Sequence, residues 1–232
     1  ESDYVISSAD LSYTLEKLLD GKYMTPQLKE RVEMKTTAPF FYCTYGVKKE
    51  FKDAPYYVNM SLKTPIKYGE HQTDTIYMRF LNQGGDFAPK GKSVLQGLYF
   101  CEPGYWEKLE EKDPKLYEKE KNRVADEILE KMEEQFPGIK ENIEEKDIAT
   151  PATTIKFTMH KNGCWGGCRI CDAVLKGKAK HTIDGLEGFY MVGNWIYSGG
   201  ICPTLYSSRN AVDLIKNGKK KSKLPLIILL LV

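Results

Sequence analysis

The sequence predicts a mixed fold, α/β toward its two ends and α+β between them, and three observations carry that expectation. Phe189 to Val192 is a short apolar run bounded by Gly188 and Gly193. It is followed by a glycine-containing loop and a segment in which Leu205, Val212 and Ile215 recur near helical spacing, so the order is strand, loop, helix. Residues 36–101 hold four runs of strand-forming residues with a heavy aromatic load. Val124, Ile128, Met132 and Phe136 recur at every fourth position of a polar run, which gives one apolar helical stripe to lay on that sheet.

Taken in order, Tyr4, Val5 and Ile6 form a short strand ending at Ser7 and Ser8. Asp10 is placed to N-cap a helix whose Leu11, Leu15, Leu18 and Leu19 share a face, with Gly21 at its end. Pro26 and the charged stretch Gln27 to Glu33 read as a crossover. Strand-like runs follow at Thr36 to Tyr45, Tyr56 to Leu62, Thr75 to Phe80 and Val94 to Cys101, and the turn signals between them include Asp53, Pro65, Gly69 and Gly91. These runs predict an antiparallel meander. Side chains alternate across a strand, so adjacent aromatics such as Tyr56 and Tyr57 cannot both face one core. The second ring of each pair faces water, a covering helix or a long apolar ligand. Pro137 and Gly138 stop the amphipathic helix, and Ile143 to Ile148 and Thr153 to Phe157 read as two further strands broken by Pro151.

The last unit carries the chemistry. A strand leading through a glycine loop into a helix aims backbone N–H groups and the positive helix end at the loop mouth, which favours an electron-rich or anionic occupant. Pro203 stands where the helix can start and Gly218 just past its expected end. Val192, Gly193, Asn194, Trp195, Gly199, Gly200, Pro203, Ser208 and Arg209 make this segment resemble the C-terminal flavin-binding signature of the phytoene desaturase, carotenoid isomerase and retinol saturase group of FAD-dependent oxidoreductases. Ser198, Ile201 and Thr204 depart from the group's pattern, and Ile201 stands where a third loop glycine is usual. A branched side chain there would restrict positive φ and narrow the approach of backbone to a ligand. Residues 3–19 and 136–158 resemble other steps of the same family, so the resemblance covers nearly all of residues 1–217.

That resemblance implies a fold, a cofactor and a site. The fold is the C-terminal part of a two-domain FAD/NAD(P)-binding architecture. Residues 1–35 belong to the FAD-binding domain and crossover, 36–150 to a substrate domain of antiparallel or mixed sheet covered by helices, and 151–217 to the return. Residues 218–232 form a basic and apolar tail. The N-terminal Rossmann βαβ unit with its G-x-G-x-x-G motif is absent from the 232 residues, and the chain reads as the C-terminal portion of a longer protein. The cofactor is FAD. Gly193, Asn194 and Trp195 would end the strand beside its ribityl and pyrophosphate, while Gly199, Gly200, Ile201, Cys202, Pro203 and Thr204 would face the pyrimidine edge. The implied reaction is desaturation, saturation or isomerisation of carbon–carbon double bonds in a polyisoprenoid such as a carotenoid or retinoid. The substrate is a lipophilic small molecule, and no catalytic residue is assigned.

The other reading is a noncatalytic or metal-binding module. Cys164, Cys168 and Cys171 lie within eight residues, with His160 and His181 on either side. Zinc and iron–sulfur sites usually take four ligands, so Cys202 or a histidine would have to be recruited by the fold. Thiols in a reducing compartment are the plainer explanation, and six cysteines without a signal peptide point to the cytoplasm. In the resembling family this stretch is a glycine-rich, aromatic-containing loop near the flavin, matched here by Gly163, Trp165, Gly166 and Gly167. A net charge of +2 gives no case for nucleic acid. Lys216, Lys219, Lys220, Lys221 and Lys223 read as solvated surface or as a peripheral contact with anionic lipid. The run from Leu224 to Val232 contains Pro225 and is too short to span a bilayer.

Overall fold

The structure is a computed structural model that describes residues 2–82, 86–167, 180–197, 199–219 and 230–231. In chain order its elements are β1 (Val5–Ser7), α1 (Leu11–Tyr13) continued by a π turn (Thr14–Leu18), α2 (Pro26–Glu33), β2 (Phe40–Val47), β3 (Tyr57–Tyr68), β4 (His71–Phe80), β5 (Ser93–Phe100), α3 (Tyr105–Lys112), α4 (Pro114–Gln135), β6 (Ile143–Ala149), α5 (Pro151–Thr158), β7 (Thr182–Ile183), β8 (Leu186–Met191), α6 (Ile201–Lys219) and β9 (Leu230–Leu231). They group into two compact units. Ala38–Thr154 is one, and Glu1–Thr37 with Ile155–Val232 is the other.

The continuous unit is an α+β layer. Its sheet has the order β3-β4-β5-β2-β6, antiparallel throughout. The meander is therefore interrupted, because β2 returns to lie between β5 and β6. Pro65 was expected to mark a turn but lies within β3, at the irregular pairing between Ser61 and Ile66, the kind of place a sheet tolerates proline. The stripe of α4 behaves as its spacing predicts. Val124, Ile128 and Met132 are buried against the sheet, and Phe136 caps the helix with its ring on Phe80 at 4.6 Å. Gly97 lets the helix close in, since a Cβ there would lie 2.7 Å from both Ile128 Cγ2 and Met132 Sδ. Trp106 of α3 fills the other end of the core, fully buried among Phe41, Tyr68 and Tyr117.

The discontinuous unit is built on a small sheet of order β7-β8-β1-β9, in which β1 pairs parallel with both β8 and β9. Asp10 caps α1 as expected, accepting from the Tyr13 amide at 2.9 Å. The apolar face is narrower than predicted. Leu11 and Leu15 are buried but Leu18 is exposed, because the π turn rotates it out of register. The Gln27 to Glu33 crossover is the helix α2, opened by the Thr25 hydroxyl accepting from the Leu28 amide and by Pro26 in its first turn. Thr153 to Phe157 was expected to be a strand and is helical. Thr150 Oγ1 accepts from the Ala152 and Thr153 amides and Pro151 opens α5, so the cap overrides the β-branched run. Gly188 lies inside β8 rather than before it. With φ +74 it passes so close to the chain that a Cβ would sit 2.4 Å from the Asp3 carbonyl oxygen. Helix α6 begins two residues before Pro203 and runs past Gly218. Most of the tail expected at 218–232 lies outside the described residues.

Candidate functional site

The expected strand, loop and helix are present as β8, residues 192–200 and α6. Gly193 ends the strand with φ +95, and its amide donates to Ser207 Oγ of α6 at 3.0 Å, a buried bond that ties the helix to the strand end. Asn194, Trp195 and Ile196 make a tight turn closed by the Ile196 amide on the Gly193 carbonyl at 3.2 Å. Trp195 is buried, with its ring edge-on to His160, and its carbonyl accepts from the guanidinium of the buried Arg31. Ser198 lies outside the described residues. Gly200 carries φ +118 and is exposed, with nothing closer to a hypothetical Cβ than Pro203 Cδ at 3.6 Å. Ile201 was expected to restrict positive φ in the loop. It does not, because the positive φ falls on Gly200 and Ile201 is already the first residue of the helix, 80% exposed. Cys202 is exposed, and Pro203 and Thr204 complete the first turn, where the Thr204 amide bonds the Gly200 carbonyl. The amides of Ile201 and Cys202 precede that bond and have no acceptor within the helix.

A second glycine loop meets the first within the same unit. Gly167 packs on the backbone of Asn194 and Gly166 on that of Gly199. A Cβ on Gly167 would lie 2.6 Å from the Asn194 carbonyl oxygen, and one on Gly199 would lie 2.5 Å from the Gly166 Cα. Thr37 pins this second loop from both sides. Its hydroxyl accepts from the Gly166 amide and its own amide donates to the Gly167 carbonyl, each at 2.9 Å. Cys164 is buried here, while Cys168 and Cys171 lie outside the described residues. His160 Nδ1 is 3.0 Å from the Cys164 carbonyl oxygen and His181 Nδ1 is 2.9 Å from that of Met191. Among the described residues no three metal-binding groups converge.

In the continuous unit, the sheet face away from α3 and α4 carries an aromatic ladder. Tyr57, Tyr77, Phe100, Phe40 and Tyr42 follow one another across β3, β4, β5 and β2, with ring centroids 5.9, 5.5, 4.3 and 5.3 Å apart. Strand alternation divides the adjacent pairs as expected. Phe41 and Tyr99 stack in the core at 5.2 Å, while Phe40 and Phe100 meet on the opposite face. The pair Tyr56 and Tyr57 is the exception, since both are exposed and Tyr56 precedes the strand.

No protein-family model matches the chain. Over 212 residues, 88% of its length, it is 28% identical to a chloroplastic prolycopene isomerase of Arabidopsis thaliana, of which it covers 34%. It is 31% identical over 135 residues to chloroplastic prolycopene isomerase 2 of an Oncidium hybrid cultivar, matching 55% of this chain and 22% of that one. This chain is similar to the carotenoid isomerases. It thus spans about a third of the length of the Arabidopsis relative. Among solved structures, an oxidoreductase from Methanosarcina mazei shares the fold, with a TM-score of 0.52 and 12% identity, over 92% of this chain and 43% of that one.

Three residues that shape the loops of this chain have no signal in the sequence. Arg31 lay in a stretch read as charged crossover, Thr37 in one read as strand, and Ser207 had no motif partner. Each acts on backbone atoms far away in sequence, which periodicity does not reveal. Among the described residues no helix is long and apolar enough to cross a membrane.

Proposed function

We propose that this chain forms part of an FAD-dependent oxidoreductase that desaturates, saturates or isomerises carbon–carbon double bonds of a polyisoprenoid such as a carotenoid or retinoid. The observation that carries the reading is the packing of two glycine loops, 163–167 and 193–200, backbone on backbone beside the start of α6. That arrangement fits a flavin. Gly200 is exposed with positive φ beside the start of α6, and the Ile201 and Cys202 amides of the first turn are N–H donors at a positive helix end. Gly193, Asn194 and Trp195 would border the ribityl and pyrophosphate. Gly199, Gly200, Ile201, Cys202, Pro203 and Thr204 would border the pyrimidine edge, where donors stabilise negative charge on the reduced ring.

Bound FAD would supply the hydride acceptor or donor that no side chain here provides. The chain's own residues bind and orient. Arg31 holds the Trp195 carbonyl, Ser207 holds the Gly193 amide and Thr37 holds the second loop. In the unit Ala38–Thr154 the aromatic ladder supplies the apolar wall a lipophilic substrate needs. The relatives' name, prolycopene isomerase, supports a carotenoid-like substrate class. A reduced, cytoplasmic setting suits thiols kept outside disulfides at Cys43, Cys101 and Cys202, and peripheral membrane contact would give access to a greasy substrate.

The test is a visible absorption spectrum, with metal content, of the purified chain and of the longest natural protein that contains it. Oxidised-flavin bands in either preparation, lost in Gly199→Val, are the expected result. Absence of flavin from both, with stoichiometric zinc or iron, would move the site to the Cys164, Cys168 and Cys171 loop.

A further inference from the structure

The face that carries the aromatic ladder is not uniformly apolar. Strand pairing sorts it into rows. Phe40 and Phe100 pair in one row, Asn59, Tyr77, Leu98 and Tyr42 form the next, and Tyr57, Arg79, Gln96 and Thr44 the one after. The face thus grades from rings to polar groups over three rows, and Arg79 stands at the boundary, directly between Tyr57 and Gln96.

Arg79 differs from the other half-buried or buried arginines. Arg123 binds Glu120, Glu127 and the Lys67 carbonyl, and Arg31 binds the Trp195 carbonyl. Arg79 is half-buried, and among the described residues its guanidinium makes no ion pair or hydrogen bond. Gln96, its neighbour on β5, donates instead to Thr44. The carboxylate of its own row is Asp147, which pairs with Thr44 on the far side of β2. Three strand spacings separate it from Arg79, roughly 14 Å. A guanidinium partly removed from water without a counter-charge is costly and strongly favours an anion that would complete it. Its charge reaches the phenols on either side. Burial raises the pKa values of Tyr42 and Tyr57, and the Arg79 charge opposes that rise at both.

We propose that this face binds an isoprenoid carboxylate, with the hydrocarbon chain along Phe100 and Tyr77 and the terminal carboxylate on Arg79. The inference rests on the reading that the ladder is a substrate wall, and it narrows the substrate class from hydrocarbon to isoprenoid acid. An aromatic wall alone accepts any polyene. The unpaired guanidinium selects the one with an acidic end, since a planar fork matches a carboxylate in two-point contact.

The test is a fluorescence-quenching titration of the full 232-residue chain with all-trans-retinoate and all-trans-retinol at neutral pH. Retinoate is expected to bind about tenfold more tightly than retinol. Arg79→Gln should raise the retinoate Kd about tenfold and leave the retinol Kd within about twofold. Arg79→Lys should keep part of the preference, and Phe100→Ala should weaken both ligands alike. Far-UV circular dichroism checks that each variant is folded. Equal affinities in the unsubstituted chain, or an equal shift of both ligands in Arg79→Gln, would overturn the carboxylate assignment while leaving the wall intact. Binding of neither ligand would overturn the wall reading and this inference with it.

Discussion

Gly97 and Gly167 both lack a side chain for want of room, but what crowds them differs. At Gly97 the obstruction is two side chains, Ile128 and Met132, whereas at Gly167 it is the Asn194 carbonyl, at Gly199 the Gly166 Cα and at Gly188 the Asp3 carbonyl. The sheet-and-helix unit is therefore held by interdigitated side chains, which can yield to one another. The loop-bearing unit is held at these points by backbone against backbone, which has nothing to yield. A core of the first kind tolerates reshaping at conserved volume. A site of the second kind tolerates no added atom, and that rigidity suits a surface meant to present amides to a ligand.

The largest effect should come from emptying the first kind of core. Trp106→Ala removes the ring on which Phe41, Tyr68 and Tyr117 converge and should cost about 3–5 kcal/mol, read as a lower urea midpoint. An unchanged midpoint would show that the unit is not held by that cluster. Gly97→Ala should cost about 1–3 kcal/mol, and the double variant with Met132→Ala should lose less than the sum of the two single losses, because the clash is with a side chain. Gly199→Ala has no such partner. No single side-chain truncation should restore its flavin binding, and finding one would collapse the distinction. Asp10→Ala removes the cap of α1 and the carboxylate that accepts the Lys161 amide, at about 1–2 kcal/mol.

Alkali should bear mainly on the sheet-and-helix unit, although burial also raises Tyr190 of the other unit. Burial pushes the Cys43 thiol from 9.0 up to about 12, and raises Tyr45, Tyr68, Tyr99 and Cys101 as well, all in the sheet-and-helix unit. Above pH 9 the unfolded thiol loses its proton while the folded one keeps it. The unfolded state is then favoured, and stability falls as pH rises from 9 toward 12. Urea midpoints should drop across that window, and Cys43→Ala should flatten the drop; a pH-independent midpoint would remove the argument.

The legible parts of the chain were those governed by period. The α4 stripe, the alternation that put Phe41 inward and Phe40 outward, and the Asp10 cap are all local patterns that survive folding. Thr153 to Phe157 has strand propensity, but the Thr150–Pro151 pair before it supplies a helix start that outweighs it. The same Thr–Pro signature opens α2 at Thr25 and Pro26, so one rule would have corrected both readings. For the candidate site, the loop was readable because glycine spacing is local. The clamps from Arg31 and Thr37 were not, because each meets its target only through tertiary structure.

Phe40 and Ala149 lie at the two ends of the continuous unit, and the strands that carry them are antiparallel neighbours, Tyr42 opposite Ala149. The other unit must join Val5 to Phe189 in β1 and β8, about 180 residues apart, at the entropy of a long loop. Once the sheet-and-helix unit has folded, its entry and exit are already side by side and most of that loop is closed. The order of assembly follows. The contiguous unit is expected to fold first and act as an internal staple, which makes the β1–β8 pairing that seats the glycine loops a late, short-range event.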